Sequence, residues 1–399
     1  MNRRVFLLRS ISTALTLHSA RLWAAPGDAK LLVIMLRGAY DGLHLLIPHS
    51  SNFYYERRPH IAIAKPDPSN PKSAIFLNSD WGLHPSVEKT LHAMYRNKHL
   101  AFVPFSGSAD TSRSHFQAQD LMELGQNSTT GINYQSGWMN RLVAVLGKDS
   151  GLGGIAFTQN LPIAFKGELN IPNLNVKAKV ASPAGRRQSE LLDALYQGQK
   201  LQAVVQEGME TRREASAELE AEMKDSARGA GQANGFEKEA RAIGKLMRDK
   251  KGYSIAFADL GAWDTHVNQG AEQGHLANNL EKLSEGLAAY AETMGPMWNQ
   301  TVAIVMSEFG RTFKENGNRG TDHGHGNTMW VLGGGISGGK IAGRQTALNE
   351  NNLYQNRDLP VLNDYRAVIA EVIRRLYGLR GEQLQLVFPG MFVEEFGIV

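Results

Sequence analysis

Leu31-Leu32-Val33-Ile34-Met35-Leu36 runs straight into Arg37-Gly38-Ala39-Tyr40-Asp41-Gly42, and the same pattern returns four times along the 399 residues. A short apolar run ends in a loop rich in glycine or charge. Leu100–Phe105 leads into Ser106-Gly107-Ser108, Tyr253–Ala258 towards Trp263-Asp264, Val302–Met306 into Ser307-Glu308-Phe309-Gly310-Arg311, and Met329–Leu332 into a triple glycine. Such runs predict buried strands. Helical periodicity intervenes over Ser86–Arg96, Ser114–Leu124, Leu276–Met294 and Asp364–Leu376. Alternating strands and helices predict an α/β fold with a mostly parallel central sheet flanked by helices on both faces. Ligands of such sheets sit beyond the carboxyl ends of the strands, where these loops are expected.

The N-terminus predicts where the protein works. Arg3-Arg4 precedes Val5-Phe6-Leu7-Leu8, a mildly apolar stretch diluted by Ser and Thr, and the small-residue end Leu22-Trp23-Ala24. This resembles a twin-arginine signal peptide over residues 1–24, so the twin-arginine export machinery is an expected partner and the destination periplasmic or secreted. The stretch between Arg9 and Arg21 is too short and polar to span a bilayer, which takes roughly 20 apolar residues, so no permanent membrane anchor is expected. The signal's four arginines, with no acid among them, account for the whole formal charge of +4. Nothing basic enough to bind nucleic acid then remains in the mature chain. Cysteine is absent, which excludes disulfides and thiolate chemistry. With 42% hydrophobic residues, residues 25–399 can bury a core of their own. About 188–251 departs from the pattern: rich in Glu, Lys, Arg, Ala and Gln and broken by Gly229–Gly235, it predicts a helical insertion of two helices, set as a lid or side element.

Two segments suggest chemistry, Ala262-Trp263-Asp264-Thr265-His266 and Gly320-Thr321-Asp322-His323-Gly324-His325-Gly326. In extended backbone residues two apart point the same way, so Asp264 converges with His266 and His323 with His325. Neutral imidazole and ionised carboxylate are the usual ligands of divalent metals, and the expected cofactor is a divalent ion: zinc, manganese, magnesium or calcium. Taken alone, either segment is also a plausible polar turn. Ser114-His115-Phe116-Gln117 opens a helix. Ser-x-x-Gln is a capping box, and the same geometry aims amides and a hydroxyl at one point, as an anion site does. Ser112 and Thr111 are rivals for that hydroxyl, and His115 is a candidate ligand or base. Arg311 has two readings, a bidentate grip on an anionic oxygen or a pair with a local acid. His60, His92, His99 and His275 stand isolated in the sequence.

Leu36–Gly42, Tyr54-Tyr55-Glu56-Arg57-Arg58-Pro59, Arg113–Asp120, Ser307–Thr312 and Thr321–Gly326 together resemble the DUF1501 family of exported bacterial proteins, over essentially the whole mature chain. That family is in turn similar to the alkaline phosphatase and sulfatase superfamily. The resemblance implies an alkaline-phosphatase-like fold with metal ligands at successive strand ends. Asp41 would be the carboxylate after the first strand, although Asp41-Gly42 also suits a hairpin turn. Asp264 and His266 would form the next pair, closer together than the superfamily usually spaces it. Glu308 stands where superfamily members carry Asp-His, with Phe309 in place of the imidazole, and Ser307-Glu308 also suits a capped helix start. Asp322, His323 and His325 would complete the metal ligands. Ser114, or Ser112, would be the attacking hydroxyl, and Arg311, close to Glu308, would join the catalytic residues. A sulfatase using modified cysteine is excluded, since there is neither Cys nor a Ser-x-Pro-x-Arg segment. The expected protein is an exported metal-dependent hydrolase of a phosphate or sulfate ester, its substrate an anionic small molecule or polymer. The alternative is a non-catalytic exported accessory or binding protein with a degenerate or structural metal site.

Overall fold

The computed structural model describes residues 28–126, 132–147, 150–175, 202–203 and 235–399. The signal segment and the first helix and break of the 188–251 region lie outside them, apart from residues 202–203. The apolar runs do form strands: β1 (Lys30–Leu36), β5 (Leu100–Gly107), β7 (Ile255–Leu260), β8 (Thr301–Met306) and β9 (Asn327–Gly333). With β6 (Gly154–Phe157), β10 (Lys340–Ile341) and β11 (Asn363–Asp364) they make an eight-stranded sheet ordered β10-β5-β9-β8-β1-β7-β6, with β11 also on β5. β1 pairs in parallel with both β7 and β8, whereas β9 is antiparallel to both its neighbours, β5 and β8. The sheet is therefore mixed and mostly parallel. A small antiparallel sheet joins β2 (Leu46–Ile47), β4 (Gly82–Leu83) and β3 (Ile75–Phe76).

Both faces of the sheet are covered, and the pleat sorts the side chains. Leu32, Ile34 and Leu36 of β1 enter one core while Leu31, Val33 and Met35 enter the other. The first core is closed by α6 (Phe236–Asp249) and α7 (His275–Met294), together with Tyr54 of α2 (Asn52–Arg57). The second is closed by α5 (Trp138–Leu146), α8 (Tyr365–Tyr377) and α9 (Gly381–Val387), with Met122 of α4 (His115–Leu124) packed against it. α6 falls in the region expected to be a side insertion, yet Phe236, Ala240, Ile243 and Met247 belong to the main core. Gly286 of α7 makes room for it, since a Cβ there would lie 2.3 Å from the Phe236 ring. Among the described residues no helix is long and apolar enough to cross a membrane.

Three local expectations change. Ser86–Arg96 is not one helix but a 3₁₀ turn at Pro85–Val87, a π turn at Glu88–His92 and α3 (Ala93–Arg96). The Thr90 hydroxyl lies where the pattern breaks, bonded to Ser284 of α7 at 2.7 Å. Asp41-Gly42 makes no hairpin, since Asp41 occupies the N-cap position of α1 (Gly42–Leu45). Ser307-Glu308 starts no helix, because the Ser307 hydroxyl donates to the Leu36 carbonyl across the sheet instead.

Candidate metal centre

The strand order explains which loops meet. β8, β1 and β7 are neighbours running the same way, so Glu308, Gly38 and Asp264 emerge side by side. β9 runs the opposite way, and therefore the residues before it, Thr321–Gly326, arrive at that same end of the sheet. The triple glycine after β9 lies at the other end. Loop 308–312 and loop 321–326 then lock backbone to backbone. Gly324 N donates to Gly310 O at 2.8 Å, Gly310 N to His325 O at 2.8 Å, and Thr312 N to Asp322 O at 2.9 Å. No side chain fits between them: a Cβ on Gly310 would sit 1.9 Å from Gly326 O.

At this junction His115, Asp264 and His323 bring ligating atoms within 4.8 Å of one another. His266 joins them. The Nε2 atoms of His115 and His323 are 2.9 Å apart, and those of His266 and His323 3.0 Å. Asp264 Oδ1 lies 2.9 Å from His266 Nε2 and 3.3 Å from His323 Nε2, and Oδ2 lies 3.6 Å from His115 Nε2.

The other nitrogen of each ring decides what these short distances mean. Nδ1 of His115 faces Glu308 Oε1 at 2.8 Å, Nδ1 of His323 faces the Arg113 carbonyl at 3.1 Å, and Nδ1 of His266 faces Asp322 Oδ1 at 3.3 Å. Carbonyl and carboxylate oxygens only accept, so each Nδ1 carries a proton, and a ring in its neutral form presents its lone pair at Nε2. The lone pairs of His115 and His323 and a carboxylate oxygen of Asp264 thus converge, with His266 Nε2 alongside against His323 and Asp264. Bare, they repel; a cation among them relieves the repulsion. Ligands of a tetrahedral ion with metal–nitrogen bonds of ~2.05 Å stand about 3.3 Å apart, close to the 2.9, 3.3 and 3.6 Å separations among His115, Asp264 and His323.

A surrounding shell holds the donors. Burial pushes the Glu308 carboxyl up, but bonds from His115, Gln119 and the Gly38 amide outweigh it and hold Glu308 below its ordinary range. Glu308 in turn raises His115. Burial, with the charges of His115 and Arg311, lowers His323. Arg311 donates to Asp264 Oδ1 at 2.6 Å and, against the cost of burial, keeps that carboxylate below its ordinary range. Asn316 and His266 do the same for Asp322. Phe309 packs its ring against His115 and His323, at centroid distances of 5.1 and 5.2 Å. The centre opens to solvent along Asp264 and His266, whose side chains are 43% and 39% exposed.

The expected site residues therefore divide. Asp264, His266 and His323 come together at the centre; Glu308, Asp322 and Arg311 stand directly behind them. Asp41 is placed elsewhere, its two oxygens 2.5 and 3.1 Å from the Arg58 guanidinium. His325 lies against Tyr354, with ring centroids 4.8 Å apart. Ser112 donates to Asp110 at 2.6 Å. Ser114 opens α4, but its hydroxyl makes no capping bond and Gln117 reaches Asp110 instead, so the capping box does not form. His115, a candidate ligand or base in the sequence, comes to the centre from the start of α4, on the loop that follows β5.

An α/β sheet with imidazoles and a carboxylate gathered at one end defines a protein with a candidate metal centre. The chain belongs to the family described as "Protein of unknown function (DUF1501)", which matches residues 28–388. No curated protein matches it.

Proposed function

We propose that the protein is an exported metal-dependent hydrolase of phosphate or sulfate esters, related in fold to the alkaline phosphatases and sulfatases. The observation that supports it is the convergence of His115 Nε2, His323 Nε2 and Asp264 within 4.8 Å of one another, with His266 alongside and each ring fixed through its Nδ1–H, on a side open to solvent. Imidazole nitrogens with a single carboxylate suit zinc and its neighbours better than magnesium or calcium, which favour oxygen ligands. Such an ion would be held by His115, Asp264 and His323, with His266 as a further candidate ligand, and would supply Lewis acidity towards an ester oxygen. The chain does the rest. Glu308 and Asp322 orient His115 and His266, Arg311 keeps Asp264 ionised and directed, and the Ser114 hydroxyl stands at the N-terminus of α4, the end of a helix that favours an anion. The order of strand-end residues, Asp264 and His266, then Glu308, then His323, supports the kinship. Export through the twin-arginine machinery fits the N-terminal sequence.

Elemental analysis of untagged protein, followed by a panel of phosphate and sulfate monoesters, tests this reading. About one zinc-like ion per chain is expected, with turnover that His323→Ala abolishes together with the metal. Protein that purifies without metal, gains no thermal stability from zinc or manganese, and turns over no ester would overturn it.

A further inference from the structure

Asp41 and Arg58 form an ion pair with both side chains essentially excluded from solvent, at 1% and 0% exposure. An isolated pair of this kind contributes little to stability, because desolvation offsets attraction. This one is not isolated. Arg58 Nε donates to Phe313 O at 2.7 Å and its NH2 group to Thr312 O at 3.0 Å, gripping the strand-end loop that carries Arg311. On the other side Gln269 Nε2 donates to Asp41 Oδ2 at 2.8 Å and faces His44 Nδ1 at 3.4 Å, using both of its N–H groups. Its Oε1 accepts the hydroxyls of Thr265 at 2.9 Å and Thr321 at 3.1 Å. Thr321 Oγ1 then accepts from Arg311 Nε at 3.2 Å, and Arg311 NH1 donates to Asp264.

Every polar atom in this chain has one assignment, so the amide and hydroxyls cannot flip without leaving a buried group unpaired. Donors run in one sense, from Arg311 through Thr321 and Gln269 to Asp41. Thr265 precedes His266, and Thr321 lies two residues before His323. The chain thus holds, at buried positions, the backbone on either side of the solvent-facing donors.

We propose that the Asp41–Arg58 pair acts as a positioning unit: through Gln269, Thr321 and Arg311 it presets Asp264, His266 and His323 for metal before any ion arrives. This rests on the metal-centre reading above, but it also makes a claim about the metal-free protein. Loss of an outer-shell partner of this kind typically weakens metal binding by about 10–100-fold.

Thr321→Val removes one hydroxyl and no donor to the metal; Gln269→Met cuts the chain one link further on. Zinc affinity, measured by chelator competition, should fall about 10–100-fold in each, the double variant should be scarcely worse than the poorer single one, and Thr321→Ser should restore binding. In parallel, ¹⁵N imidazole NMR of the metal-free protein should show the Nδ1–H tautomer at His266 and His323 in the parent and Thr321→Ser, and a mixture in Thr321→Val. If the parent binds zinc and both Thr321→Val and Gln269→Met keep its affinity and tautomers, the positioning role is wrong. If the parent binds no zinc yet the tautomers are lost in Thr321→Val, the positioning role stands and the metal reading fails.

Discussion

At the centre each imidazole has one nitrogen committed to a fixed acceptor, and that commitment decides what the other can do. Glu308 turns His115 from a helix-start residue into a donor, and Arg311 resolves its two readings by pairing with Asp264. The Asp-x-His spacing was legible in the sequence, since both side chains meet at 2.9 Å. The His-Gly-His spacing was not. His323 sits in a bridge with Arg311, but after Gly324 the chain turns so that Gly326 N bonds Leu359 O, and the alternation that would keep His325 beside His323 is lost. Ser114 makes the sharpest test at this scale. Without a capping bond its hydroxyl contributes little to stability, so Ser114→Ala should shift the unfolding free energy by no more than about 0.5 kcal/mol, while lowering ester turnover by several orders of magnitude if this hydroxyl attacks. Undiminished turnover with metal bound would remove Ser114 from the mechanism.

The elements explain what individual residues cannot. An apolar run such as Met329–Leu332 announces a strand but carries no direction, and direction is what brings Thr321–Gly326 to the end of the sheet where Asp264 and Glu308 lie. The buried strands were legible because they are apolar on both faces. Their partners were not, because pairing depends on contacts far apart in sequence. Loops 308–312 and 321–326 touch through glycines, and that contact can be broken selectively. Gly310→Ala would drive a Cβ into the Gly326 carbonyl, whereas Gly261→Ala, in the loop that leads to Asp264, meets nothing within 4 Å. Overpacking of this kind costs about 1–3 kcal/mol, so Gly310→Ala should lower the melting temperature and separate His323 from Asp264, reducing zinc stoichiometry. Gly261→Ala should bind zinc as the parent does. Equal behaviour of the two variants in calorimetry and metal analysis would show that the loop junction does not set the site.

For the molecule as a whole, the two cores pin the sheet, and the polar groups trapped between the first core and the site couple its stability to acid. His44 and His84 lie with ring centroids 5.0 Å apart, and both Nε2 atoms donate to the Ala271 carbonyl, at 2.9 and 3.0 Å. Burial is the main cause that pushes His44 down to about 3 and His84 down to about 4. Both are therefore neutral in the folded state across the range in which an unfolded histidine, near 6.5, takes up a proton. The sign follows from proton counting. Above about pH 6.5 neither state binds these protons and stability is level; below it the unfolded chain binds more, so stability falls until the folded pKa values are reached. Each such proton steepens the fall by about 1.4 kcal/mol per pH unit. Denaturant unfolding in the presence of a chelator, from pH 8 down to pH 4.5, should show this decline. His84→Gln, which keeps a donor for Ala271 but cannot be protonated, should decline less steeply by one proton's worth. Parallel curves for parent and variant would mean that His84 is already protonated in the fold, contrary to its burial and to the Ser86 amide that donates to its Nδ1 at 3.1 Å.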